Sequence, residues 1–181
     1  MTITQSPLLD HCPPTLPAAA YYDADWFARE RRGIWQREWV YAGRLNDLPK
    51  GKMRPLTVGG AGVILCRSPE GDVTAYHNTC RHRGSELCRA EQPLGKTIRC
   101  PYHAWSYAAA DGRLLSTAHA TPTEDFVKAD NGLYPVAVTL WNGFVFLNIA
   151  ESPAPFAPDL GLAAYDNWPM ADLVTGHRVV R

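Results

Sequence analysis

The fold is decided by two stretches, NTCRHRGSELC at residues 78–88 and IRCPYHAWSY at residues 98–107. Each stretch pairs one cysteine with one histidine, Cys80 with His82 and Cys100 with His103, and the 17 residues 83–99 separate the two pairs. Each pair follows a predicted strand and therefore belongs to a loop. Two such loops can meet at their tips around a compact metal centre, because thiolates suit ferric iron with bridging sulfide while imidazole is a harder, neutral ligand.

This donor set favours a [2Fe-2S] cluster with mixed ligands. Two ferric ions, two sulfides and two thiolates sum to about zero charge, against about minus two for an all-cysteine cluster, so an added electron is easier to accept. The added electron should reside on the histidine-bound iron. A structural zinc site is the alternative, although zinc sites usually pair cysteine with cysteine and histidine with histidine, and it predicts a colourless protein.

Short strand-like runs surround the two loops and are separated by turn residues such as Gly59-Gly60, Pro69-Glu70-Gly71 and Asp111-Gly112. So many short strands predict a mainly β fold, an antiparallel sandwich or small barrel. The runs lie at residues 53–58, 62–67, 72–78, 97–100, 105–108, 113–116, 134–140 and 144–149.

The segments before the strands have a different character. Residues 1–20 contain several prolines and no periodicity, which predicts a flexible tail. Residues 21–48 are predicted to be a helical lead-in, with an amphipathic helix over residues 23–39 that begins at Asp23 or Asp25 as N-cap and is broken or ends near Gly33 or Gly43. The apolar residues near one face of that helix are Phe27, Ile34, Trp35 and Trp39.

The strand-rich part, residues 49–150, is predicted to be one domain. Residues 151–181 begin with the proline-spaced ESPAPFAP and are interpreted as a linker. A short helix near residues 160–165 and a strand-like GHRVVR follow, which predicts the start of a second domain. A length of 181 residues fits one domain with such an appendage.

Composition excludes several classes of function. Acidic and basic residues are equal in number, so neither nucleic acid nor an anionic membrane surface is an expected partner. The chain lacks an apolar run of roughly 20 residues and a signal-peptide pattern, which predicts a cytoplasmic protein. Five cysteines at irregular spacing argue against a disulfide framework and leave metal binding as the interpretation to test.

The C-x-H-R-G and C-P-Y-H-x-W-x-Y strings resemble the Rieske domain of the large (alpha) subunit of Rieske non-heme iron oxygenases. The resemblance implies a Rieske [2Fe-2S] cluster on Cys80, His82, Cys100 and His103, in a cluster-binding subdomain inserted between strands of an antiparallel base. Respiratory-type Rieske proteins carry a disulfide-forming pair of cysteines where Ser85 and Tyr102 stand here, so a lower-potential class is implied. Ala104 replaces the glycine that is more usual after the second histidine, and Trp105 replaces a serine of the respiratory type.

The family also has a second site, a mononuclear Fe(II) held by two histidines and a carboxylate, which activates dioxygen in mono- and dioxygenases. Its usual motif, N-x-x-E-x-Y-H-x(4)-H, does not occur here, and only His177 follows residue 119. The chain is therefore expected to be the electron-transfer fragment of an oxidoreductase. A reductase or ferredoxin would supply electrons, and His82 or His103 would pass them to a catalytic domain, often in a neighbouring subunit. A stand-alone Rieske ferredoxin is the alternative.

Residues close to the loops are interpreted as structural. His77 and His119 have no partner at ligand spacing, Cys66 is expected in the core, and Cys88 is not needed by a site that four ligands complete. Gly84 is expected to supply a positive φ or room for the cluster, with Arg83 closing the same loop. The aromatic residues of the second loop are expected to shield the cluster: Tyr102, Trp105 and Tyr107.

Overall fold

A computed structural model describes residues 14–158 and 168–176 of the chain. Within these ranges ten strands form three sheets, and every strand pair is antiparallel, so the mainly β prediction is confirmed. The sheets have the orders β1-β10-β9, β4-β3-β2-β5 and β6-β7-β8. The strands are β1 Val40–Arg44, β2 Lys52–Val58, β3 Ala61–Arg67, β4 Val73–His77, β5 Gln92–Pro93, β6 Thr97–Arg99, β7 Ser106–Ala108, β8 Leu114–Ser116, β9 Ala137–Trp141 and β10 Phe144–Asn148.

Strand β3 separates two apolar cores. Side chains alternate between the two faces of a strand, so Val63 and Leu65 point to one core and Ile64 and Cys66 to the other. All four are buried, which explains why GVILCR is a continuous apolar run. The core that contains Val63 and Leu65 also contains Leu48, Val145 and Leu147. The core on the other face of β3 contains both cysteines of the predicted site.

The sheet β6-β7-β8 and the two ligand loops lie between β4 and β9 in the chain. We call the sheets β1-β10-β9 and β4-β3-β2-β5 the base. The chain leaves the base at the end of β4 and returns beside that strand, where the His77 amide donates to the Tyr134 carbonyl (2.9 Å) and Tyr76 forms a bridge with Pro135. The result is a cluster-binding subdomain that is inserted into the base, as the resemblance implied.

The helical lead-in is shorter than predicted. The α-helix α1 spans Ala24–Glu30, a π-helical turn covers Arg31–Trp35, and β1 then begins at Val40. The helical segment therefore ends close to Gly33, one of its two predicted ends, and the prediction that it continues to residue 39 within a helical lead-in to 48 is wrong. The reason is tertiary: β1 contains VYA, which suits a strand, and the edge of β10 is available to pair with it. Asp23 does cap the helix, since its Oδ1 accepts from the amides of Asp25 (2.8 Å) and Trp26 (2.9 Å).

The apolar face of that segment is largely uncovered in this chain. Phe27 is 58% exposed, and Ile34 and Trp35 are also exposed. The segment contacts the base at the β2–β3 turn, where Gly59 has φ +56° and a Cβ would lie 2.7 Å from the Trp35 carbonyl oxygen. Only glycine suits both the backbone angle and the close approach at this turn.

Residues 168–176 pack against the end of β1. The Arg44 guanidinium is buried there and donates to the carbonyl oxygens of Leu173 (2.8 Å) and Met170. Asn46 donates to the Ala171 carbonyl (3.1 Å). The predicted tail up to residue 13, the helix near 160–165 and most of the terminal GHRVVR lie outside the described residues. Among the described residues, no helix has the length and apolar character needed to cross a membrane.

Candidate metal centre

The first ligand loop is a tight turn that starts three residues after β4. The Cys80 amide donates to the Ser85 carbonyl (2.8 Å), and the Cys80 carbonyl accepts from the Gly84 amide (2.9 Å). Gly84 has φ +69°, and a Cβ built on it would meet no atom within 4 Å. The positive φ expected for this glycine is therefore confirmed.

The second ligand loop, between β6 and β7, repeats the same turn. The Cys100 amide donates to the Trp105 carbonyl (2.8 Å), and the Cys100 carbonyl accepts from the Ala104 amide (3.1 Å). Ala104 stands at the position of the glycine of the first loop and has φ +59°. An L-residue in this left-handed conformation costs roughly 1–2 kcal/mol, so the loop keeps a strained alanine where the family usually has glycine.

Replacing Ala104 with glycine is expected to stabilise the protein by about 0.5–1 kcal/mol. The relief of left-handed strain outweighs the extra entropy that glycine loses on folding. The urea midpoint of unfolding should rise accordingly. Ala108→Gly is the matched control, because Ala108 lies in β7 without positive φ and the same change there should destabilise. A lower midpoint for Ala104→Gly would contradict the strain argument.

The two cysteine side chains meet in the interior between the loops. Cys80 is 2% exposed and Cys100 is 3% exposed, and the two thiols are near enough to shift each other's pKa. Burial raises the pKa of Cys80. Burial acts in the same direction on Cys100, but hydrogen bonds from the amides of Tyr102 and His103 outweigh it and lower the pKa of Cys100. Two buried thiolates need a cationic partner, and iron would supply it.

The two histidine rings lie side by side nearer the surface. The ring centroids of His82 and His103 are 4.8 Å apart at 72°. Trp105 stacks flat on His82 at 4.8 Å and 9°, and Tyr102 packs against His103 at 3.6 Å. Burial, with His103 and Arg83 close by, lowers the pKa of His82, which favours the neutral imidazole that a metal requires.

The residues present fit a two-iron cluster. The Nδ1 atom of His103 is buried without a hydrogen-bond partner, although a buried ring nitrogen normally has one. In the described part of the chain, no three side chains among His, Cys, Asp and Glu surround one ion position. Buried thiols on one side and an unpartnered imidazole nitrogen on the other are what a [2Fe-2S] unit between them would use.

Tyr107 contacts the site from β7. Its hydroxyl lies 3.2 Å from the Cys80 sulfur and accepts a hydrogen bond from the Arg81 amide (3.1 Å). With the amide as donor, the hydroxyl is free to give its own proton to a Cys80 thiolate. If Cys80 holds the cluster, this hydrogen bond would withdraw negative charge from its sulfur and so stabilise the reduced form.

Replacing Tyr107 with phenylalanine is expected to lower the reduction potential of the loaded protein by an amount on the order of tens of mV. A charge-assisted hydrogen bond to the ligand is lost, and a tenfold change in a one-electron equilibrium corresponds to 59 mV. Protein-film voltammetry measures the potential. Tyr76→Phe is the control, since the Tyr76 hydroxyl donates to the Ala109 carbonyl (2.9 Å) and should leave the potential unchanged. Equal shifts in both variants would argue against the Tyr107 assignment.

The cysteines and histidines that were not predicted to be ligands lie in different parts of the structure. Cys66 lies in the core within β3, where burial raises its pKa to about 12. Cys88 is also buried and donates to the Ala90 carbonyl (3.1 Å). His77 lines a separate cavity, but His119 lines the same cavity as His82 and His103, which its sequence spacing did not indicate.

Two further residues position the first loop and were missed. Asn78 is buried, and its Oδ1 accepts from the amides of Leu87 (3.0 Å) and Cys88 (2.9 Å). An asparagine at the end of a strand and two residues before a ligand is a signal that could have found it. The Arg81 guanidinium lies 3.9 Å from the Tyr134 ring centroid, a contact that no local pattern predicts.

Two loops that each carry a cysteine and a histidine, presented by three small antiparallel sheets, define the class of Rieske-type iron–sulfur proteins. The sequence profile of the Rieske [2Fe-2S] domain matches residues 38–129, and the chain belongs to this family. The family's cofactor is the [2Fe-2S] cluster. The assignment of its four ligands to individual residues stays a prediction.

Relatives of known function are oxygenase subunits. The chain is 40% identical over 155 residues to the glycine betaine monooxygenase oxygenase subunit of Chromohalobacter salexigens, covering 85% of this chain and 34% of that protein. It is 30% identical over 162 residues to the carnitine monooxygenase oxygenase subunit of Escherichia coli, covering 86% and 42%. The chain thus spans less than half the length of these relatives.

Solved structures agree with this relationship. A quaternary ammonium Rieske monooxygenase that oxidises carnitine superposes with a TM-score of 0.71 at 27% identity, over 78% of this chain and 39% of that one. Naphthalene 1,2-dioxygenase from Rhodococcus superposes with a TM-score of 0.68 at 28% identity, over 77% and 32%. The chain therefore contains a Rieske domain that is similar in sequence and fold to those of known mono- and dioxygenases.

Proposed function

We propose that this chain is the electron-transfer part of a Rieske oxygenase subunit and that Cys80, His82, Cys100 and His103 hold its cluster. When bound, the cluster supplies one-electron chemistry between a reductase or ferredoxin and a mononuclear iron outside this chain. The observation that carries the proposal is that both cysteine–histidine pairs meet between the loop tips, where the His103 Nδ1 is buried without a partner.

The burial of the proposed donors supports a division of the site into an inner and an outer end. The cysteines are almost completely buried, so they would hold the inner iron, and the histidines, which are partly exposed, would hold the outer one. Neutral imidazoles give the outer iron less negative charge than thiolates give the inner iron. The added electron would therefore be held at the end that is nearer to the protein surface.

The surface beside the imidazoles suits contact with another protein part. It is a shallow cavity of about 340 Å³ that no aspartate, glutamate, lysine or arginine lines. We call it the histidine face, and it is lined by His82, Tyr102, His103, Ala104, Trp105, Thr117, His119 and Ala120. An uncharged and partly aromatic surface can be buried at low desolvation cost, so this face is proposed as the contact with the catalytic domain, of the same or a neighbouring subunit.

The substrate class is proposed from the relatives. The two oxygenase subunits at 40% and 30% identity act on glycine betaine and carnitine, and a superposed structure is that of a quaternary ammonium monooxygenase. These substrates share a quaternary ammonium group and a carboxylate. We therefore propose that the whole enzyme oxidises a compound of this kind. Oxygen uptake by the full-length subunit with its reductase, dependent on glycine betaine or carnitine but not on naphthalene, is the expected result.

Anaerobic reconstitution with iron and sulfide tests the electron-transfer role. The loaded protein should be coloured, contain iron and acid-labile sulfide in equal amounts, and give an EPR signal only after reduction. A colourless protein that binds zinc would contradict the proposal. To separate an oxygenase from a stand-alone ferredoxin, the parent reading frame should continue into an E-x-Y-H-x(4)-H segment, and its lack there would favour the ferredoxin.

A further inference from the structure

A second surface cavity, of about 460 Å³, lies beside the ligand loops. We call it the arginine face, and it is lined by Arg83, Ser85, Arg89, Pro101 and Tyr102. The two ligand loops both contribute to it. Tyr102 lines both this face and the histidine face, so the two surfaces are neighbours on either side of one exposed ring.

The arginine face is lined by two basic side chains and by no acidic one. Residues 80–103 contain five lysines and arginines against two glutamates, while the whole chain has equal numbers of acidic and basic residues. Arg83 and Arg89 are both exposed. Glu86 lies 3.7 Å from Arg89, but both side chains are more than half exposed and such a pair is held weakly. In the described ranges, Arg83 forms no ion pair.

This face is separated from the ligands by single residues. The Ser85 carbonyl accepts from the Cys80 amide (2.8 Å), and the Ser85 side chain lies close enough to Cys100 to help lower the pKa of its thiol. The Tyr102 ring contacts the ring of His103, with centroids 3.6 Å apart. A partner that covers the arginine face would therefore be within one residue of three of the four predicted ligands.

We propose that the arginine face is the docking surface for an acidic one-electron carrier protein, the donor in the proposed function on which this inference rests. Charge complementarity steers such a partner and orients it. One electron passes from the reduced carrier to a ferric iron of the bound cluster, with no bond made or broken and no proton required. The donor and the catalytic domain would then use two neighbouring surfaces, one charged and one uncharged.

Binding of an acidic carrier to the loaded protein tests the proposal. The probe is an oxidised plant-type [2Fe-2S] ferredoxin, and its Kd is measured by isothermal titration calorimetry at low ionic strength. The double charge reversal R83E/R89E is expected to weaken binding about tenfold or more, and added salt should weaken binding by the wild-type protein. The variant R83K/R89K, which keeps the charge, should bind within about threefold of wild type.

The matched control is R32E/R37E, which reverses two exposed arginines of the N-terminal segment and changes the net charge equally. Its Kd should stay within about threefold of wild type. Equal weakening in both reversed variants, or none in R83E/R89E, would overturn the docking surface. The proposal would also be overturned if inorganic phosphate inhibited binding more than chloride at the same ionic strength. That result would indicate a site for small anions. If R83E/R89E loses its cluster, the proposal is still tested by the R83K/R89K variant and by the salt dependence of binding to the wild-type protein. Failure of the wild type to assemble a cluster would refute the proposed function instead.

Discussion

Replacement of Cys80 or Cys100 by alanine is expected to abolish cluster assembly. Each thiolate supplies one of only two negatively charged protein donors, and two imidazoles with one thiolate leave the inner iron without a complete ligand set. Iron and acid-labile sulfide, about two of each per chain in the wild type, should fall close to zero after anaerobic reconstitution. The visible absorption and the EPR signal of the reduced protein should disappear with them.

Two other buried cysteines provide the control for this experiment. Cys66 belongs to β3 and Cys88 donates to a backbone carbonyl, so Cys66→Ala and Cys88→Ala should retain the cluster even if they reduce stability. Loss of the cluster in Cys88→Ala together with its retention in Cys80→Ala would show that the wrong thiols had been assigned. The thermal unfolding midpoint should fall in Cys80→Ala and Cys100→Ala, because cluster binding contributes to the free energy of folding.

Replacement of His82 or His103 by cysteine is expected to lower the reduction potential by a few hundred mV in whichever variant assembles. The substitution exchanges a neutral imidazole for a thiolate, so the cluster gains a negative charge and the reduced form is destabilised. All-cysteine plant-type clusters lie near −400 mV, against about −150 to +300 mV for Rieske clusters. The potential is measured by protein-film voltammetry or by an EPR-monitored titration.

His119 offers the control for the histidine variants. It lines the same cavity as His82 and His103, yet it is exposed and is not predicted to hold iron. His119→Cys should leave the potential close to that of the wild type. An unchanged potential in both His82→Cys and His103→Cys, with the cluster intact, would contradict the charge argument and the ligand assignment together.

Much of the fold could be predicted because the signals are local. The alternation of side chains and the turn residues placed eight of the ten described strands, including the hairpin at Gly59-Gly60. The two that were missed were Val40–Arg44, which depends on pairing with β10, and Gln92–Pro93, which has only two residues. The first was assigned to the helical lead-in, and the second is too short to show a period. Their partners lie far away in the chain, so only tertiary contacts could identify them.

The sequence by itself determined the donor types and their spacing, and with them the class of metal centre, because ligand chemistry depends on residues within a few positions of one another. Only the tertiary structure decided what surrounds those donors. Trp105 covers His82 with Phe126 behind it, and Tyr107 reaches the Cys80 sulfur from β7. These contacts join residues from separate elements of the chain. Their geometry is set by packing between elements, which no periodicity along the sequence encodes.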